Sequence, residues 1–277
     1  MNHDDMNITK YLRTYLLGLT NLQKLDLRVS TLNREENPVV SFTSVPKRLD
    51  QVKATVISLL KQTRPPKEIH INLGENLFPE KKIPDFLKNL NVVKIFWVKK
   101  DFGPATKYIP TLERYANTNQ LLIICDDDMY YAPNLIDSLF LADKESGGKN
   151  SYCINGLKVP SNLNSKSRPD DKAIKFGQKQ VAIIEGCGGY TLRSQFITDL
   201  ELKNIEGAPK RCLFDDDIWL SGQLSRQKIK KIQIPTGKRK SLINTIESAI
   251  SGDREKLQTD LMRHFKNDWA PDEIEPI

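Results

Sequence analysis

The sequence predicts an α/β protein with a mostly parallel central sheet flanked by helices. Strand-like apolar runs alternate with amphipathic helix-like stretches, and one run, residues 121–125, leads directly into three acids at 126–128. A run that is apolar at every position is typical of a strand buried on both faces. Because open α/β sheets bind their ligands at the carboxyl ends of their strands, these acids are predicted to lie at the functional edge.

The composition is that of an ordinary globular protein with a basic surplus. The chain has 277 residues, of which 28% are charged and 39% hydrophobic, and Lys plus Arg exceed Asp plus Glu by 42 − 35 = 7. A basic surplus suits anionic ligands such as nucleotides, nucleic acid or an anionic membrane surface. The basic residues form no block and do not alternate with aromatic residues, so no nucleic acid is expected as a partner.

Cysteine spacing and hydropathy predict where the protein works. The four cysteines are widely spaced and form no CxxC pair. Neither a zinc site nor a disulfide framework is therefore predicted, which favours a reducing compartment. The sequence shows no signal peptide and no apolar run long enough to span a bilayer. We expect a cytoplasmic protein without a transmembrane segment, either free or peripheral to a membrane.

Three segments are predicted along the chain. Residues 1–37 form a helical N-terminal extension, residues 38–235 form the main domain, and residues 236–277 form a charged helical tail without a motif. The extension carries leucines at three- and four-residue spacing: Leu12, Leu16, Leu19, Leu22 and Leu25. Such a stripe is typical of a helix that docks on its own domain or on a partner helix.

Strands and helices alternate through the first half of the main domain. The predicted strands cover residues 39–43, 68–73, 92–98 and 121–125; the predicted helices cover residues 46–64, 86–90 and 108–115. Alternation at this spacing favours right-handed βαβ units over a parallel sheet. His70 falls inside a strand pattern and is predicted to be a packed histidine rather than a ligand.

The acids after the fourth strand carry the most specific chemistry. Side chains alternate along an extended chain, so Asp126 and Asp128 should share a face while Asp127 points the other way. Two carboxylates on one face suit a hard divalent cation that also holds substrate phosphates. The alternative is a solvated loop or a helix cap. Three acids directly after an apolar strand favour the metal site.

The turn after the third strand could approach a phosphate. Gly103 allows close backbone approach to a ligand, and Lys107 stands at the start of the following helix. From there its ammonium could reach a phosphate or a base. Taken by themselves, these residues are better explained by ordinary turn chemistry.

Two further motifs follow in the second half. Residues 147–171 predict a long loop around one short strand, and residues 181–184 predict another strand. The glycine-rich run 185–189 predicts a pocket wall or a flexible turn, although it lacks the spacing of a dinucleotide or P-loop motif. A second acidic triplet, 215–217, opens a helix, where acids also suit the helix dipole.

Taken together, five stretches resemble the GT-A class of nucleotide-sugar glycosyltransferases, of the family 2-like type with a DxD motif. They are residues 41–48, 103–107, 126–128, 185–189 and 216–221. The combination and its order are more specific than any single motif. The resemblance implies a Rossmann-like GT-A fold with the nucleotide over the N-terminal half of the sheet.

The resemblance also implies roles for individual residues. Asp126 and Asp128 match the motif that holds Mn²⁺ or Mg²⁺ on the donor diphosphate. Asp217 matches the catalytic base of inverting members, with Asp216 as the next candidate. The nucleotide-sugar pocket is implied to involve Thr43, Arg48, Asp101, Lys107, Asp126, Asp127, Gly188 and Gly189. His264, the late histidine that could serve as a third metal ligand, is expected to pack within its helix instead.

We therefore expect a metal-dependent glycosyltransferase that moves a sugar from a nucleoside-diphosphate donor, UDP above others, to a hydroxyl of a glycan or similar acceptor. The first alternative is a nucleotidyltransferase acting on sugar phosphates. It would be expected to carry a Gly/Arg/Lys-rich loop after the first strand, where this chain has Lys47 and Arg48 but no glycine. The second is a non-catalytic basic binding protein whose acids only cap helices. Fold alone does not decide among them.

Overall fold

The computed structural model describes residues 20–167, 174, 176–236, 240, 241 and 254–275 of the chain. Its strands are β1 (Val39–Thr43), β2 (Ile69–Gly74), β3 (Val93–Val98), β4 (Leu122–Ile124), β5 (Met129–Tyr130), β6 (Ser151–Cys153), β7 (Gly156–Leu157), β8 (Val159–Pro160), β9 (Lys179–Val181), β10 (Ile183–Ile184), β11 (Tyr190–Leu192), β12 (Lys231–Gln233), β13 (Lys240–Ser241) and β14 (Ile274–Glu275).

Its helices are α1 (Leu22–Ser30), α2 (Pro46–Leu49), α3 (Lys53–Leu60), α4 (Ile109–Arg114), α5 (Leu135–Glu145), α6 (Asp199–Lys203), α7 (Asp216–Arg226) and α8 (Arg254–His264). Short 3₁₀ turns lie at Asp85–Leu87, Gly103–Lys107, Ser165–Ser167, Cys212–Phe214 and Pro271–Glu273.

Eight strands form the main sheet in the order β3-β2-β1-β4-β11-β6-β12-β9. Strands β3, β2, β1 and β4 are parallel neighbours, and β6 and β12 run in the same direction. Only β11 and β9 run against the other six strands of this sheet. The predicted α/β class with a mostly parallel, Rossmann-like sheet is confirmed.

The central strands are buried on both faces. Val39 and Leu122 pack into one hydrophobic cluster, whereas their neighbours Val40 and Ile123 pack into a second. The first cluster holds residues of α4, α7 and α8, and the second holds residues of α3 and α5. Side chains of a strand point alternately to the two faces, so a strand between two helical layers is buried on both faces and is mostly apolar.

The structure corrects parts of the sequence-based assignment. The helix predicted over residues 86–90 is one 3₁₀ turn, closed by Asn89 in a left-handed conformation with φ 56°. The strand predicted over residues 181–184 is two strands, because β9 pairs with β12 whereas β10 pairs with β7. Strand β11, at the centre of the sheet, was not predicted because its three residues follow a glycine-rich run.

The described parts of the N-terminal extension and the C-terminal tail pack into the hydrophobic clusters. Leu22 and Val29 of α1 are buried, as are Leu261 of α8 and Phe265 just beyond it. The stripe residues Leu12, Leu16 and Leu19 lie outside the described residues. The division at 37/38 and 235/236 therefore stays a prediction. Within the described part of the chain, no helix has the length and apolarity needed to cross a bilayer.

Candidate active site

The predicted donor-side residues follow neighbouring parallel strands. Thr43 ends β1, Asp101 lies just beyond β3, and Asp126 lies just beyond β4. These strands run parallel in the order β3-β2-β1-β4, so their carboxyl ends meet at one edge of the sheet. That edge is where ligands of open α/β sheets bind.

The first acidic triplet lies in a turn rather than on a strand, because β4 already ends at Ile124. Asp127 is its inward carboxylate: Ser44 Oγ donates a hydrogen bond to Oδ2 over 2.5 Å, and the Arg48 guanidinium lies 2.8 Å from Oδ1. The side chains of Asp126 and Asp128 are 29% and 28% exposed. Two of the three carboxylates thus remain open to solvent.

Burial changes the acidity of this turn. It raises the pKa of Asp127 to about 6, although the charge of Arg48 and the hydrogen bond from Ser44 both lower it. Burial also raises the pKa of Asp128, and the negative charge of Asp126 adds to that rise. The carboxylates repel one another, so the turn favours bound cations.

Lys107 joins the two acidic triplets. Its Nζ lies 3.0 Å from Asp126 Oδ1, 2.9 Å from Asp216 Oδ2 and 3.3 Å from Asp217 Oδ1. Its side chain is only 5% exposed. Burial alone would lower the pKa of Lys107, but the three carboxylates outweigh it and hold that pKa well above its usual value. Lys107 is therefore a permanently charged ammonium at the centre of the site.

The turn before Lys107 is shaped by its own polar side chains. Asp101 Oδ1 accepts hydrogen bonds from Gly103 N at 3.1 Å and from Thr106 Oγ1 at 2.8 Å. Gly103 has a φ of 62°, which glycine adopts without steric strain. Ser41 Oγ of β1 donates to the carbonyl of Lys107 over 2.6 Å. Asp101, predicted to contact the nucleotide, is thus also the residue that fixes the turn.

Gly186 and Tyr131 hold the two halves of the site together. Gly186 N lies 3.3 Å from Asp217 Oδ1, and the Tyr131 hydroxyl accepts a hydrogen bond from Asp126 N over 2.8 Å. The same hydroxyl can donate its proton to the carbonyl of Asp126 or of Gly186, each 3.2 Å away. A methyl group at Gly186 would overlap the Asp126 carboxylate and lie 2.5 Å from Lys107 Nζ. Sequence analysis gave neither residue a role of its own.

The second acidic triplet opens α7, and two of its members face Lys107. Burial raises the pKa of Asp217 well above its usual value, and that of Asp216 also rises; Lys107 opposes both shifts. Asp216 Oδ2 makes its ion pair with Lys107 but receives no well-aligned hydrogen bond. The buried Tyr190 hydroxyl also has no hydrogen-bond partner among the described residues. Two buried oxygen atoms of the site, Asp216 Oδ2 and the Tyr190 hydroxyl, therefore lack a hydrogen bond among the described residues.

The remaining predicted residues occupy defined positions around these groups. Thr43 Oγ1 donates to the carbonyl of Asn72 over 2.7 Å, and Arg48 is engaged by Asp127 and Asp128. Gly188 N and Gly189 N bond to the carbonyls of Glu185 and Gly186, closing tight turns. Gly189 has a φ of 83°, where a larger side chain would be strained. Their part in nucleotide binding stays a prediction.

The donor atoms suit a divalent cation that arrives with its substrate. No group of three or more His, Cys, Asp and Glu side chains able to hold a metal occurs among the residues that the structure describes. Asp126 and Asp128 are nevertheless hard, partly exposed oxygen ligands. Mg²⁺ is commonly held by one or two carboxylates while phosphates and waters fill the other positions. His264 stacks on Trp219, with the ring centroids 6.0 Å apart, as its helical setting predicts.

A cleft of about 340 Å³ opens beside Asp217. Its walls include Glu185 after β10 and Asp215 just before α7, together with the almost fully buried Ile183 and Ile218. Helix α8 supplies the rest of the lining with Arg254, Glu255 and Gln258. Sequence analysis gave α8 no functional role, because a charged helix without a motif carries no signal that it borders a site.

No protein-family model matches the chain, and no curated protein matches its sequence. Among solved structures, the chain is similar to an apo UDP-glucose pyrophosphorylase, with 9% identity, 83% of this chain and 98% of the other covered, and a TM-score of 0.46. It is also similar to a UDP-glucose pyrophosphorylase from Acinetobacter baumanii, with 11% identity, 83% of this chain and 93% of the other covered, and a TM-score of 0.47. A third similar structure is that of S. aureus TarS 1–349, with 12% identity, 73% of this chain and 59% of the other covered, and a TM-score of 0.47. Likeness this distant leaves the activity to be inferred from the residues themselves.

Proposed function

We propose that the protein is a metal-dependent glycosyltransferase that moves a sugar from a nucleoside-diphosphate donor, most readily a UDP-sugar, to a hydroxyl of a glycan or similar acceptor. The observation that carries the proposal is the convergence of Asp126, Asp216 and Asp217 on Lys107. Asp126, which suits the donor metal, and Asp217, which suits the acceptor proton, thereby contact the same ammonium group.

On the donor side, the nucleotide lies over the carboxyl edge of β1 to β4, where Thr43 and Asp101 line its pocket. Asp126 and Asp128 hold Mn²⁺ or Mg²⁺ on the diphosphate. When bound, the metal offsets the negative charge that develops on the departing diphosphate. Lys107 supplies a second, fixed positive charge beside Asp126.

On the acceptor side, Asp217 takes the proton of the attacking hydroxyl. Its side chain is 25% exposed and borders the cleft, whereas Asp216 is buried behind it. Burial raises the pKa of Asp217, which makes the carboxylate a stronger base, and Lys107 favours its ionised form. Attack from the cleft side, opposite to the leaving diphosphate, inverts the anomeric centre. The anomeric couplings of the product, read by NMR, distinguish inversion from retention.

The first test is a calorimetric titration with UDP, GDP and dTDP, each with and without Mn²⁺. We expect one nucleotide to bind tightly, and only with the metal, because the carboxylates of the acidic turn repel a bare diphosphate. A folded protein that binds none of the three would contradict the proposal. Salt-sensitive binding of DNA or RNA by the same sample would instead support a basic binding protein.

The convergence of carboxylates also suits a nucleotidyltransferase acting on sugar phosphates, which uses metals to stabilise phosphoryl transfer. Against this alternative, the loop after β1 has no glycine, and Arg48 of the following helix α2 is engaged by Asp127 and Asp128. Paired assays decide between the two activities. Release of nucleoside diphosphate from a nucleotide sugar supports glycosyl transfer, whereas pyrophosphate release from UTP and glucose 1-phosphate supports nucleotidyl transfer.

A further inference from the structure

We propose that the cleft beside Asp217 is the acceptor subsite and that it selects hydroxyl-rich acceptors which are uncharged or carry an amine. Acceptors that carry a phosphate or carboxylate are excluded by the same walls. This inference rests on the proposed glycosyl transfer, and it names the class of acceptor that the enzyme takes.

The position and shape of the cleft suit a small carbohydrate. Asp217, the proposed base, forms part of the wall, so a hydroxyl bound there lies beside the group that removes its proton. The volume of about 340 Å³ is at the lower end of the range for small-molecule sites.

The charges of the walls set the selectivity. Among the described residues that line the cleft, four side chains are carboxylates and one, that of Arg254, is a cation. That cation is already engaged, since its Nε lies 3.3 Å from Asp215 Oδ2, which also accepts a hydrogen bond from Gln258 Nε2 at 2.8 Å.

Carboxylates accept hydrogen bonds from hydroxyls and ammonium groups but can only repel an anion. Lys107 and Lys166 each lie 3.3 Å from one of these carboxylates, Asp217 and Glu255. The four carboxylates still outnumber the three cations by one, so a phosphorylated or carboxylated acceptor meets a net negative wall.

Helix α8 makes this wall a fixed feature. Ser165 Oγ donates to the carbonyl of Glu255 over 2.8 Å, and Leu261 and Met262 are buried in the core on the same helix. Glu255 lines the cleft, and its half-exposed carboxylate lies 3.3 Å from the exposed ammonium of Lys166. Glu255 is thus a specificity-determining residue that can be changed without opening the core.

The inference can be tested by saturation-transfer difference NMR with three methyl glycosides in the presence of saturating nucleotide and Mn²⁺. The probes are methyl glucoside, which is uncharged, methyl glucosaminide, which has an amine in place of the C2 hydroxyl, and methyl glucuronide, which has a carboxylate in place of the C6 hydroxymethyl group. We expect the glucosaminide to bind most tightly, the glucoside next, and the glucuronide at least tenfold more weakly than the glucosaminide. A glucuronide that binds as tightly as the neutral glycoside would overturn the inference.

Two charge reversals on α8 supply the matched comparison. Glu255→Lys changes the cleft wall, whereas Asp260→Lys makes the same change of charge on the same helix at a residue that does not line the cleft. We expect Glu255→Lys to weaken glucosaminide binding at least fivefold and to strengthen glucuronide binding, while Asp260→Lys leaves the ranking as it is. Equal effects of the two reversals would mean that overall charge, not the cleft, sets the ranking, and the inference would fail.

The outcomes separate this inference from the proposed function. Metal-dependent nucleotide binding with no glycoside ranking, or with the opposite one, overturns the acceptor assignment and leaves the donor site standing. If no nucleotide binds but Glu255→Lys still alters the glycoside ranking, glycosyl transfer is overturned, and the charge selectivity of the cleft is supported as that of a carbohydrate-binding site.

Discussion

Lys107 is the residue on which the two acidic triplets depend. It is buried, and three carboxylates lie within 3.3 Å of its ammonium. An ion pair in this setting must offset the desolvation of every member, so removing one partner leaves uncompensated buried charge. The same ammonium favours ionised Asp217, and it therefore links the stability of the fold to the protonation state of the proposed base.

We predict that Lys107→Met lowers the free energy of unfolding at pH 8 by about 3–5 kcal/mol. Loss of the ammonium raises the pKa values of Asp216 and Asp217 further, so protonation at lower pH relieves the repulsion. The loss should consequently be smaller at pH 5 than at pH 8, as measured by urea unfolding. The control is Lys203→Met, a more exposed ion pair with Asp199, where about 0–1 kcal/mol is expected. Equal losses at both pH values would contradict the assignment.

Asp127 predicts a second pH dependence. Its pKa of about 6 in the folded protein exceeds the ordinary value of 3.8 because the side chain is buried. Between these two values the folded state binds more protons than the unfolded state, so stability falls as pH rises from about 4 to about 6. Asp127→Asn removes this dependence. As pH rises from about 4 to about 6, the free energy of unfolding of the variant minus that of the wild type should increase by up to about 3 kcal/mol. A constant difference would show that Asp127 ionises normally.

The proposed division of labour between the triplets is tested by single substitutions. Asp128→Ala should abolish metal-dependent nucleotide binding with little change in stability, because its side chain is partly exposed. Asp217→Asn keeps the shape of the side chain but cannot accept the acceptor proton, so nucleotide binding should persist while turnover falls by at least a hundredfold. Calorimetry and a nucleoside-diphosphate release assay give the two readouts. Wild-type turnover in both Asp128→Ala and Asp217→Asn would contradict the assignment of the site.

At the scale of elements, the site exists because three connecting turns meet. The turn after β3 delivers Lys107, the turn after β4 delivers Asp126, and the glycine-rich turn after β10 brings Gly186 against both. The Tyr131 hydroxyl bonds the second turn to the third. Three turns that are far apart in the sequence thus contact one another through individual side-chain and backbone atoms.

We predict that Gly186→Ala disables nucleotide binding. The added methyl group overlaps the Asp126 carboxylate and crowds the Lys107 ammonium, so these side chains must leave the positions in which they form the site. Calorimetry with the cognate nucleotide and Mn²⁺ should show affinity reduced at least tenfold. Gly207→Ala is the control: Gly207 is left-handed with φ 69° and open space around it, so it should lose about 1 kcal/mol of stability and no affinity. Wild-type affinity in Gly186→Ala would mean that the turns do not need this spacing.

The elements differ in how far the sequence predicts them. The hydrophobic residues of β1 to β3 mark those strands to within one residue, although buried polar residues interrupt two of them: Ser41 in β1, and His70 and Asn72 in β2. Strand β11 has three residues and gains its place only by pairing with β4 and β6, a long-range choice with no local signal. The acids were identifiable as residue types. Their convergence on Lys107 was not, since sequence spacing does not give distances between turns.

At the scale of the whole molecule, the last described segment, residues 254–275, packs against two parts of the main domain. Helix α8 borders the cleft, and the Phe265 ring just beyond it packs so tightly on α7 that any side chain at Gly222 would overlap it. Farther along, Glu273 reaches Lys231 of β12 with 2.6 Å between Oε1 and Nζ. The C-terminal segment therefore contacts both a helix and an edge region of the main sheet.

The buried pair Lys231–Glu273 provides the test of whether that segment belongs to the same cooperative unit. Both side chains are almost fully buried, and Ser225 Oγ also donates to Glu273 Oε2 over 2.8 Å. Glu273→Ala leaves the ammonium without its carboxylate, and burial already lowers the pKa of Lys231, so we expect a loss of about 3–5 kcal/mol. Asp272→Ala, at the exposed neighbouring acid, should change stability by less than about 0.5 kcal/mol.

The shape of the unfolding transition carries the rest of the prediction. If residues 254–275 share the core, as the burial of Leu261 and Phe265 indicates, Glu273→Ala should shift one cooperative transition, followed by both fluorescence and circular dichroism. A separate early transition, or proteolytic release of the segment from a remainder that still binds nucleotide, would instead mark an independent tail. One transition is expected because α8 and α7 bury the same aromatic surface, so neither can expose it without destabilising the other.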